Sequence, residues 1–153
     1  MKSEPQFWPR LKRGGAFLPD DISLNKTQII ERCIKRIEEE YSNDPANLDN
    51  LTRQDSIILN LQRACEAAIA LAMHWVAENG WGMPNSSREA FDLLAEHGVI
   101  DTELAVRLKA MVGFRNIAVH EYQKISLEIL RRIITDHLSD LTDYAHKLLN
   151  NEL

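Results

Sequence analysis

The sequence predicts an all-α protein, folded as an antiparallel bundle of about five helices. From Leu24 onward, apolar residues recur at the three- and four-residue spacing that places them on one face of a helix. No segment in this part of the chain alternates apolar and polar residues as a strand does. With 153 residues, of which 44% are hydrophobic and 27% charged, the chain is long enough for one domain with a single core.

The first two predicted helices make up the first half of the domain. The first runs from about residue 25 to Tyr41, and Asp44-Pro45 ends it because the residue before a proline disfavours helical backbone. The second starts after Thr52, whose hydroxyl is expected to cap it, and continues to Asn79 before the helix stop at Gly80. Its alanine-rich flank lets another helix approach closely, so we expect it to be the central helix.

Three further helices are predicted in the second half. A short third helix follows the capping-box pair Ser86 and Glu89 and ends at Gly98, and the fourth starts near Asp101. The fifth starts after Ser126 and runs to about residue 150. Its expected inward face consists of Leu127, Leu130, Ile134, Leu138, Leu141 and Leu148.

The first 20 residues differ in composition from the rest. They contain three of the five prolines and the pair Gly14-Gly15, and no helix or strand period is visible in them. We interpret residues 1–20 as an extension, either native or left by cloning, and residues 21–153 as one helical domain.

Charge and hydropathy narrow the functional class. The formal charge of −5 combines +2 over residues 1–20 with −7 over the rest, which argues against a non-specific nucleic-acid coat but allows a small basic site. The longest uninterrupted apolar run, Ala67 to Met73, is far shorter than the ~20 residues of a membrane span. No signal-peptide core is present, so we expect a soluble cytoplasmic protein.

Cys33 and Cys65 have no metal-site spacing and are expected to be small buried hydrophobes.

The segment RNIAVHEY, residues 115–122, carries the chemistry. A fixed cation (Arg115), a group titrating near neutrality (His120) and a phenol (Tyr122) suit an anionic phosphodiester. On RNA, His120 could take the proton of a ribose 2′-hydroxyl while Arg115 stabilises the phosphate. Asn116 could orient the histidine or bind the phosphate, and Tyr122 could donate to the phosphate or stack on a base. A 2′,3′-cyclic phosphate is the expected product, with no metal or cofactor required.

The spacing of the motif raises a geometric difficulty. In a continuous helix, Arg115 and His120 lie about 140° apart and do not share a face. Either a helix end near Ala118 swings His120 back, or a second copy of the motif from another subunit completes the site.

Simpler interpretations of the same residues stay open. Arg115 could serve the helix dipole or pair with Glu121, His120 could cap the helix, and Tyr122 could anchor a loop with its hydroxyl in water. The protein would then be a non-catalytic helical module that binds a nucleotidyltransferase or a nucleotide, or a purely structural adaptor.

Other polar groups are weaker candidates. His74 and Glu78 share a helix face but lack a third metal ligand. Lys124 and Arg131-Arg132 could extend a basic cleft or simply flank the bundle. An acidic stretch, interpreted as a solvated face, contains Asp136, His137, Asp140 and Asp143.

The string Arg115-Asn116-x-x-x-His120-x-Tyr122 resembles the HEPN superfamily, and specifically its HepT toxins. HEPN proteins share an arginine, a polar residue, three residues of any kind and a histidine, and HepT toxins add the x-Tyr. The resemblance covers about residues 22–150. It implies a HEPN-like helical domain and a metal-independent ribonuclease acting as a homodimer, with the motifs of both subunits in one interfacial cleft.

The resemblance also implies a partner, a minimal nucleotidyltransferase antitoxin called MntA, and allows a larger hetero-oligomer with it. MntA inactivates such toxins by transferring AMP units to the motif tyrosine, here Tyr122. Each added phosphodiester would bring negative charge beside Arg115 and His120, occupy the cation and repel RNA.

Overall fold

The computed structural model describes residues 12–13, 16–17 and 20–150, and the last of these stretches is helical over most of its length. The elements in chain order are β1 (Lys12–Arg13), β2 (Ala16–Phe17), α1 (Asp21–Tyr41), α2 (Leu51–Glu78), α3 (Ser87–Glu96), α4 (Thr102–His120), α5 (Leu127–Arg132) and α6 (Leu138–Asn150). Short 3-10 turns cover Pro45–Asp49 and Tyr122–Lys124, and a π-helical turn over Ile133–His137 joins α5 to α6. The prediction of an all-α bundle of about five helices is confirmed. α5, the π turn and α6 follow one another without a break and together form the single fifth helix that the sequence predicted.

A two-residue antiparallel pair precedes the helices, where no strand was expected. Lys12 lies opposite Phe17, and Arg13 opposite Ala16. Strands of two residues are too short to show a period, so the pattern could not reveal them. The signal was the dipeptide Gly14-Gly15 in the sequence between them, a pair favoured in two-residue hairpin loops. The other residues of the predicted 1–20 extension, except Asp20, and residues 151–153 lie outside the described residues.

α1 begins four residues earlier than the sequence predicted. The carboxylate of Asp20 caps it by accepting the backbone N–H of Ser23 at 2.7 Å. The first two buried positions of the helix are Ser23 and Thr27, each 2% exposed. Because these two positions are polar, the apolar period did not extend back to them.

α2 is capped by a different residue from the one predicted. Asn50, not Thr52, accepts the backbone N–H of Arg53, at 3.0 Å. Thr52 already lies within the first helical turn, where its hydroxyl is past the capping position.

The starts of α3 and α4 agree with the prediction. Ser86 accepts the backbone N–H of Glu89 at 3.2 Å, while the Glu89 carboxylate accepts the N–H of Asn85. Asp101 caps α4 by accepting the N–H of Leu104 at 2.7 Å. These short-range hydrogen bonds satisfy donors that the first turn of a helix leaves free.

The core is built around α2, which packs against α1, α3, α4 and α6 as expected for the central helix. Tyr144 of α6 lies in the core, and its hydroxyl donates a hydrogen bond to the backbone oxygen of Ala68 at 2.8 Å. The ring of Tyr144 packs edge-on against Phe91, with 5.6 Å between the ring centroids. By length and hydropathy α2 could cross a membrane, but 56% of its most apolar window is buried in the bundle. Its apolar character is therefore accounted for by the core.

Both cysteines are buried in this core, as the sequence predicted. Cys33 is 4% exposed and Cys65 is 2% exposed. Burial raises the pKa of the Cys65 thiol to about 12. The thiol therefore stays protonated and unreactive near neutral pH.

The predicted inward face of the fifth helix is buried at every position except Leu127. Ile133 and Ile134 of the π turn are buried, as are Leu138 and Leu141 beyond it. The predicted inward position of Leu127 is wrong, because this side chain is 38% exposed. Leu127 is the first residue of α5, directly after its N-cap Ser126, and the helical period does not tell how far the end of a helix is covered by its neighbours.

One residue of the acidic stretch on this helix is not solvated. Asp136 and Asp143 are exposed, but Asp140 is only 9% exposed. Its carboxylate accepts from Arg107 Nε of α4 at 3.0 Å and lies 3.0 Å from His137 Nδ1. The solvated-face prediction is therefore wrong for Asp140, whose charge is paired with a cation across the helix interface.

Candidate active site

The motif side chains lie at and just beyond the C-terminal end of α4. Phe114 and Ala118 are buried and hold this half of the helix on the core. Arg115 and Asn116 are half-buried beside them, whereas His120 is exposed in the last turn. The core therefore fixes the backbone of the motif while its polar groups face the surface.

Arg115 is held by two neighbours. Its Nε donates to Asn116 Oδ1 at 3.0 Å, and its Nη1 lies 3.8 Å from Glu66 Oε2 of α2. The alternative pairing with Glu121 is wrong, since Glu121 lies past the helix end and away from that face and instead pairs with Lys124 at 3.0 Å. The remaining guanidinium donors of Arg115 are available to an anion.

α4 continues through His120, so the idea that it ends near Ala118 is wrong. The backbone N–H of Glu121 still donates to the oxygen of Ile117 at 2.8 Å. Neither glycine nor proline interrupts this part of the sequence. Arg115 and His120 of one chain are therefore about 140° apart around the axis.

The imidazole of His120 makes no hydrogen bond or ion pair with any residue in the described part of the chain. It belongs to the last turn of α4 and is exposed. The imidazole is therefore open to a ligand that approaches the end of α4.

Tyr122 is bonded to α2 rather than left in water. It lies in the 3-10 turn after α4, is 41% exposed, and donates its hydroxyl hydrogen to Asp55 Oδ1. Partial burial, together with the hydrogen bond and charge of Asp55, raises the pKa of the Tyr122 phenol to about 12. The loop-anchor interpretation is thus correct about a structural contact but wrong about a free hydroxyl.

Two acidic residues of α2, Asp55 and Glu66, complete the surroundings of the motif. As the motif proceeds from Arg115 to Tyr122, its partners on α2 move back from Glu66 to Asp55. The C-terminal part of α4 therefore runs antiparallel to the N-terminal half of α2. Nothing in the local sequence of either acid signals this role, because only the packing of α4 on α2 brings them to the motif.

An apolar groove lies on the other side of the motif, between α4 and α5. Its volume is about 450 Å³. The apolar residues that line it are Ala110, Met111, Phe114, Ile117, Ile125, Ile129 and Ile133. Ile117 is 38% exposed and Ile129 is 54% exposed, which is unusual for large side chains lying side by side.

Residues 20–150 contain no group of three or more His, Cys, Asp or Glu side chains that could hold a metal ion. His74, the weak metal candidate, has its Nε2 2.9 Å from Asp20 Oδ1. This contact joins the N-cap of α1 to α2. His74 therefore has a structural role that its sequence neighbour Glu78 does not share.

The basic residues after the motif are largely engaged locally. Lys124 pairs with Glu121, and Arg132 lies 3.9 Å from Glu128 on the next turn of its own helix. Arg131 is exposed beside it. Exposed pairs of this kind contribute little and leave these residues at the surface of the bundle.

Comparison with known proteins gives a consistent result. The family model described as ribonuclease HepT-like matches residues 30–148. The chain is 46% identical over 125 residues to the mRNA nuclease HepT of Shewanella oneidensis, covering 82% of this chain and 94% of that protein.

Two solved structures are similar in fold and in sequence. One is the tri-AMPylated Shewanella oneidensis HEPN toxin in complex with an MNT antitoxin, with a TM-score of 0.80, 45% identity, and coverage of 84% of this chain and 97% of that one. The other is a toxin–antitoxin complex with AMP-PNP, with a TM-score of 0.80, 43% identity, and coverage of 84% and 98%.

Proposed function

The chain belongs to the HepT-like ribonuclease family, and on that premise we propose that it is the toxin of a toxin–antitoxin pair, cleaving RNA without a metal ion. The observation that carries the proposal is the combination of a held cation and a free imidazole in one motif. Arg115 is fixed by Asn116 and Glu66, whereas His120 has no partner among the described residues. We place the protein in the cytoplasm, where RNA is available to it.

The proposed reaction is an internal transfer at phosphorus. His120 removes the proton of a ribose 2′-hydroxyl, and the 2′-oxygen attacks the adjacent phosphorus. The bond from phosphorus to the 5′-oxygen breaks, giving a 2′,3′-cyclic phosphate and a 5′-hydroxyl, whose proton comes from water or a second imidazole. Arg115 stabilises the charge that develops on the phosphate oxygens, and Asn116 keeps the guanidinium oriented.

We propose that the site is completed by a second copy of the chain. Arg115 and His120 of one α4 point about 140° apart, so a single helix cannot direct both at one phosphate. The exposed Ile117 and Val119, on the same helix as the motif, and the apolar groove between α4 and α5 offer a surface that a second copy can cover. A two-fold interface here would bring the Arg115 of one subunit towards the His120 of the other.

We propose that a nucleotidyltransferase antitoxin inactivates the enzyme by transferring AMP to Tyr122. The oxygen of the phenol would attack the α-phosphorus of a nucleoside triphosphate, pyrophosphate would leave, and the phenol proton would pass to Asp55 or to water. The exposure of Tyr122 and its place in the motif support this, as does the AMPylated state of the similar Shewanella toxin. The added phosphodiester brings a negative charge into a site built for a phosphate.

A cleavage assay tests the ribonuclease. Protein produced without a nucleotidyltransferase is incubated with total RNA in the presence of a metal chelator. We expect fragments ending in 2′,3′-cyclic phosphate, and their loss in His120→Ala. Intact RNA after incubation with soluble, unmodified wild-type protein would favour the non-catalytic module instead.

Intact mass measurement tests the modification. After co-production with the partner nucleotidyltransferase, the mass of the chain should increase by whole AMP units. The increase should disappear in Tyr122→Phe. If that variant still gains mass, another residue is the acceptor.

A further inference from the structure

A wide groove between α1 and α2 borders the motif, and most of the residues that line it take no part in the chemistry described so far. Its volume is about 880 Å³. Its charged lining residues are Lys26, Arg32, Arg36, Asp55, Arg63 and Glu66. We call it the α1/α2 groove. Four cations and two carboxylates therefore meet here, in a protein whose formal charge is −5.

Within residues 20–150, three of the four cations have no carboxylate partner. Arg36 lies 3.2 Å from Glu39 and is engaged within its own helix. For Lys26, Arg32 and Arg63, no carboxylate lies within 4.0 Å among residues 20–150. Unpaired cations that converge on one concave surface attract a polyanion, because their fields add within the cleft.

The two carboxylates of the groove are both occupied by the motif. Asp55 accepts the Tyr122 hydroxyl, and Glu66 is paired with Arg115. These acids are eleven residues apart on α2, which corresponds to about 16 Å along the helix axis. The motif therefore borders the groove over about three helical turns, and Arg115 offsets the negative charge of Glu66.

The lining also includes apolar surface between the cations. Ile29 of α1 and Leu59 of α2 line the groove, and Leu59 is 42% exposed. Faces of nucleic-acid bases can pack on such side chains only when the strand is unpaired. A double helix would present phosphates to this surface but leave its apolar part uncovered.

We propose that the α1/α2 groove binds the backbone of single-stranded RNA and leads it along the motif. Arg32 and Arg63 contact the phosphates, and Ile29 and Leu59 contact the bases. The inference rests on the proposed ribonuclease function and adds to it a binding surface outside the motif itself.

Binding of a labelled oligouridylate to the full chain tests the groove. His120→Ala is used as the background so that the probe is not cleaved during the measurement. The groove variant is Arg32→Gln/Arg63→Gln, and the control is Lys35→Gln/Lys147→Gln, which removes the same charge from exposed positions outside the groove. All four side chains are exposed, so we expect both proteins to fold, as far-UV circular dichroism will show.

The groove variant should bind about tenfold more weakly, and the slope of its salt dependence should fall by about 0.7 for each phosphate that the protein no longer neutralises. The control should retain both the affinity and the salt dependence. Arg32→Lys/Arg63→Lys, which keeps the charge, should recover most of the binding. Equal reductions in the groove and control variants would mean that only net charge matters, and would overturn the proposal.

Two results would distinguish a failure of the groove proposal from a failure of the ribonuclease proposal. If wild-type protein cleaves RNA, and the groove substitutions weaken neither binding in the His120→Ala background nor cleavage in the wild-type background, the groove proposal fails while the ribonuclease stands. If the groove variant loses RNA binding but native protein never cleaves, the groove stands and the ribonuclease fails. Unchanged RNA binding with loss of the nucleotidyltransferase on co-purification would assign the groove to protein docking instead.

Discussion

The hydroxyl of Tyr122 donates a hydrogen bond to the carboxylate of Asp55, a residue 67 positions earlier in the chain. This contact fixes the phenol at the rim of the α1/α2 groove instead of leaving it free in solvent. Together with the Arg115–Glu66 pair, it connects two members of the motif to the central helix. The pKa of the tyrosine therefore depends on a residue that the motif does not contain.

Asp55→Asn should lower the pKa of Tyr122. Partial burial and the negative charge of Asp55 raise it from an ordinary value of 10.0 to about 12, because both oppose the formation of phenolate. An asparagine keeps the shape but removes the charge, so the pKa should fall part of the way back towards 10.0. Ultraviolet difference titration measures this, and Tyr122→Phe identifies the transition. An unchanged titration in Asp55→Asn would show that Asp55 does not act on the phenol.

Arg115→Ala and His120→Ala should each abolish cleavage alone but restore it when mixed. In a two-fold dimer whose site combines one Arg115 with the His120 of the other subunit, the mixed dimer retains one intact pair. Random mixing should then recover about a quarter of wild-type activity, since half of the dimers are mixed and each has one of two sites. Co-production of the two variants, followed by the cleavage assay, checks this. No recovery, despite mixed dimers shown by mass spectrometry, would place both groups of the site in one subunit.

Asp20→Ala should destabilise the protein by about 1–3 kcal/mol near neutral pH, because it removes the N-cap of α1 and the contact with His74. Asp20→Asn should cost less, since asparagine also caps helices. Urea unfolding of the two variants measures both effects.

The stability contributed by the Asp20 charge should depend on pH. Burial opposes this charge, but hydrogen bonds from His74 and Ser23 outweigh burial and lower the pKa of Asp20 well below its usual range. The folded state therefore keeps the carboxylate charged at pH values where the unfolded state binds a proton. The advantage over Asp20→Asn should be complete above about pH 4 and shrink as the pH falls further. A difference that grows on acidification would contradict this assignment.

Tyr144→Phe should lower the free energy of unfolding by about 1 kcal/mol and leave RNA cleavage unchanged. The variant removes the buried hydrogen bond from the Tyr144 hydroxyl to Ala68 while keeping the packing of the ring on Phe91. Tyr41→Phe is a suitable control, because the Tyr41 hydroxyl has no hydrogen-bond partner in the described part of the chain. Thermal and urea unfolding, with the cleavage assay alongside, check both statements. Equal destabilisation of the two variants would remove the special role of the Tyr144 bond.

Most of the helix boundaries could be predicted from short-range sequence patterns, and the features that were missed have physical causes. Ser86 was identified as a helix start because its capping-box partner Glu89 is only three residues away in the sequence. The start of α1 was missed because Ser23 and Thr27 are polar residues on its buried face. The exposure of Leu127 was missed because the helical period gives the face of a residue but not how far the end of its helix is covered.

For the site, the sequence identified the motif but not its surroundings. Arg115, Asn116, His120 and Tyr122 follow one another closely, so their pattern is visible in the sequence, and their catalytic roles stay a prediction. Asp55 and the cations of the α1/α2 groove lie 52 to 89 residues before Arg115 in the sequence. Only the packing of α4 and α1 on α2 brings them together, and packing has no signature in a short window.

The bond between Tyr122 and Asp55 has a mechanical consequence for any ester formed on the phenol. Once its oxygen is esterified, Tyr122 no longer has a hydrogen to donate, and Asp55 faces an acceptor instead of a donor. With a phosphodiester, the two negative charges also repel each other. The turn at Tyr122–Lys124 would thereby lose this attachment to α2, and amide hydrogen exchange around it should accelerate on modification. Covalent inactivation would then act in two ways, by filling the site and by detaching the segment that holds it.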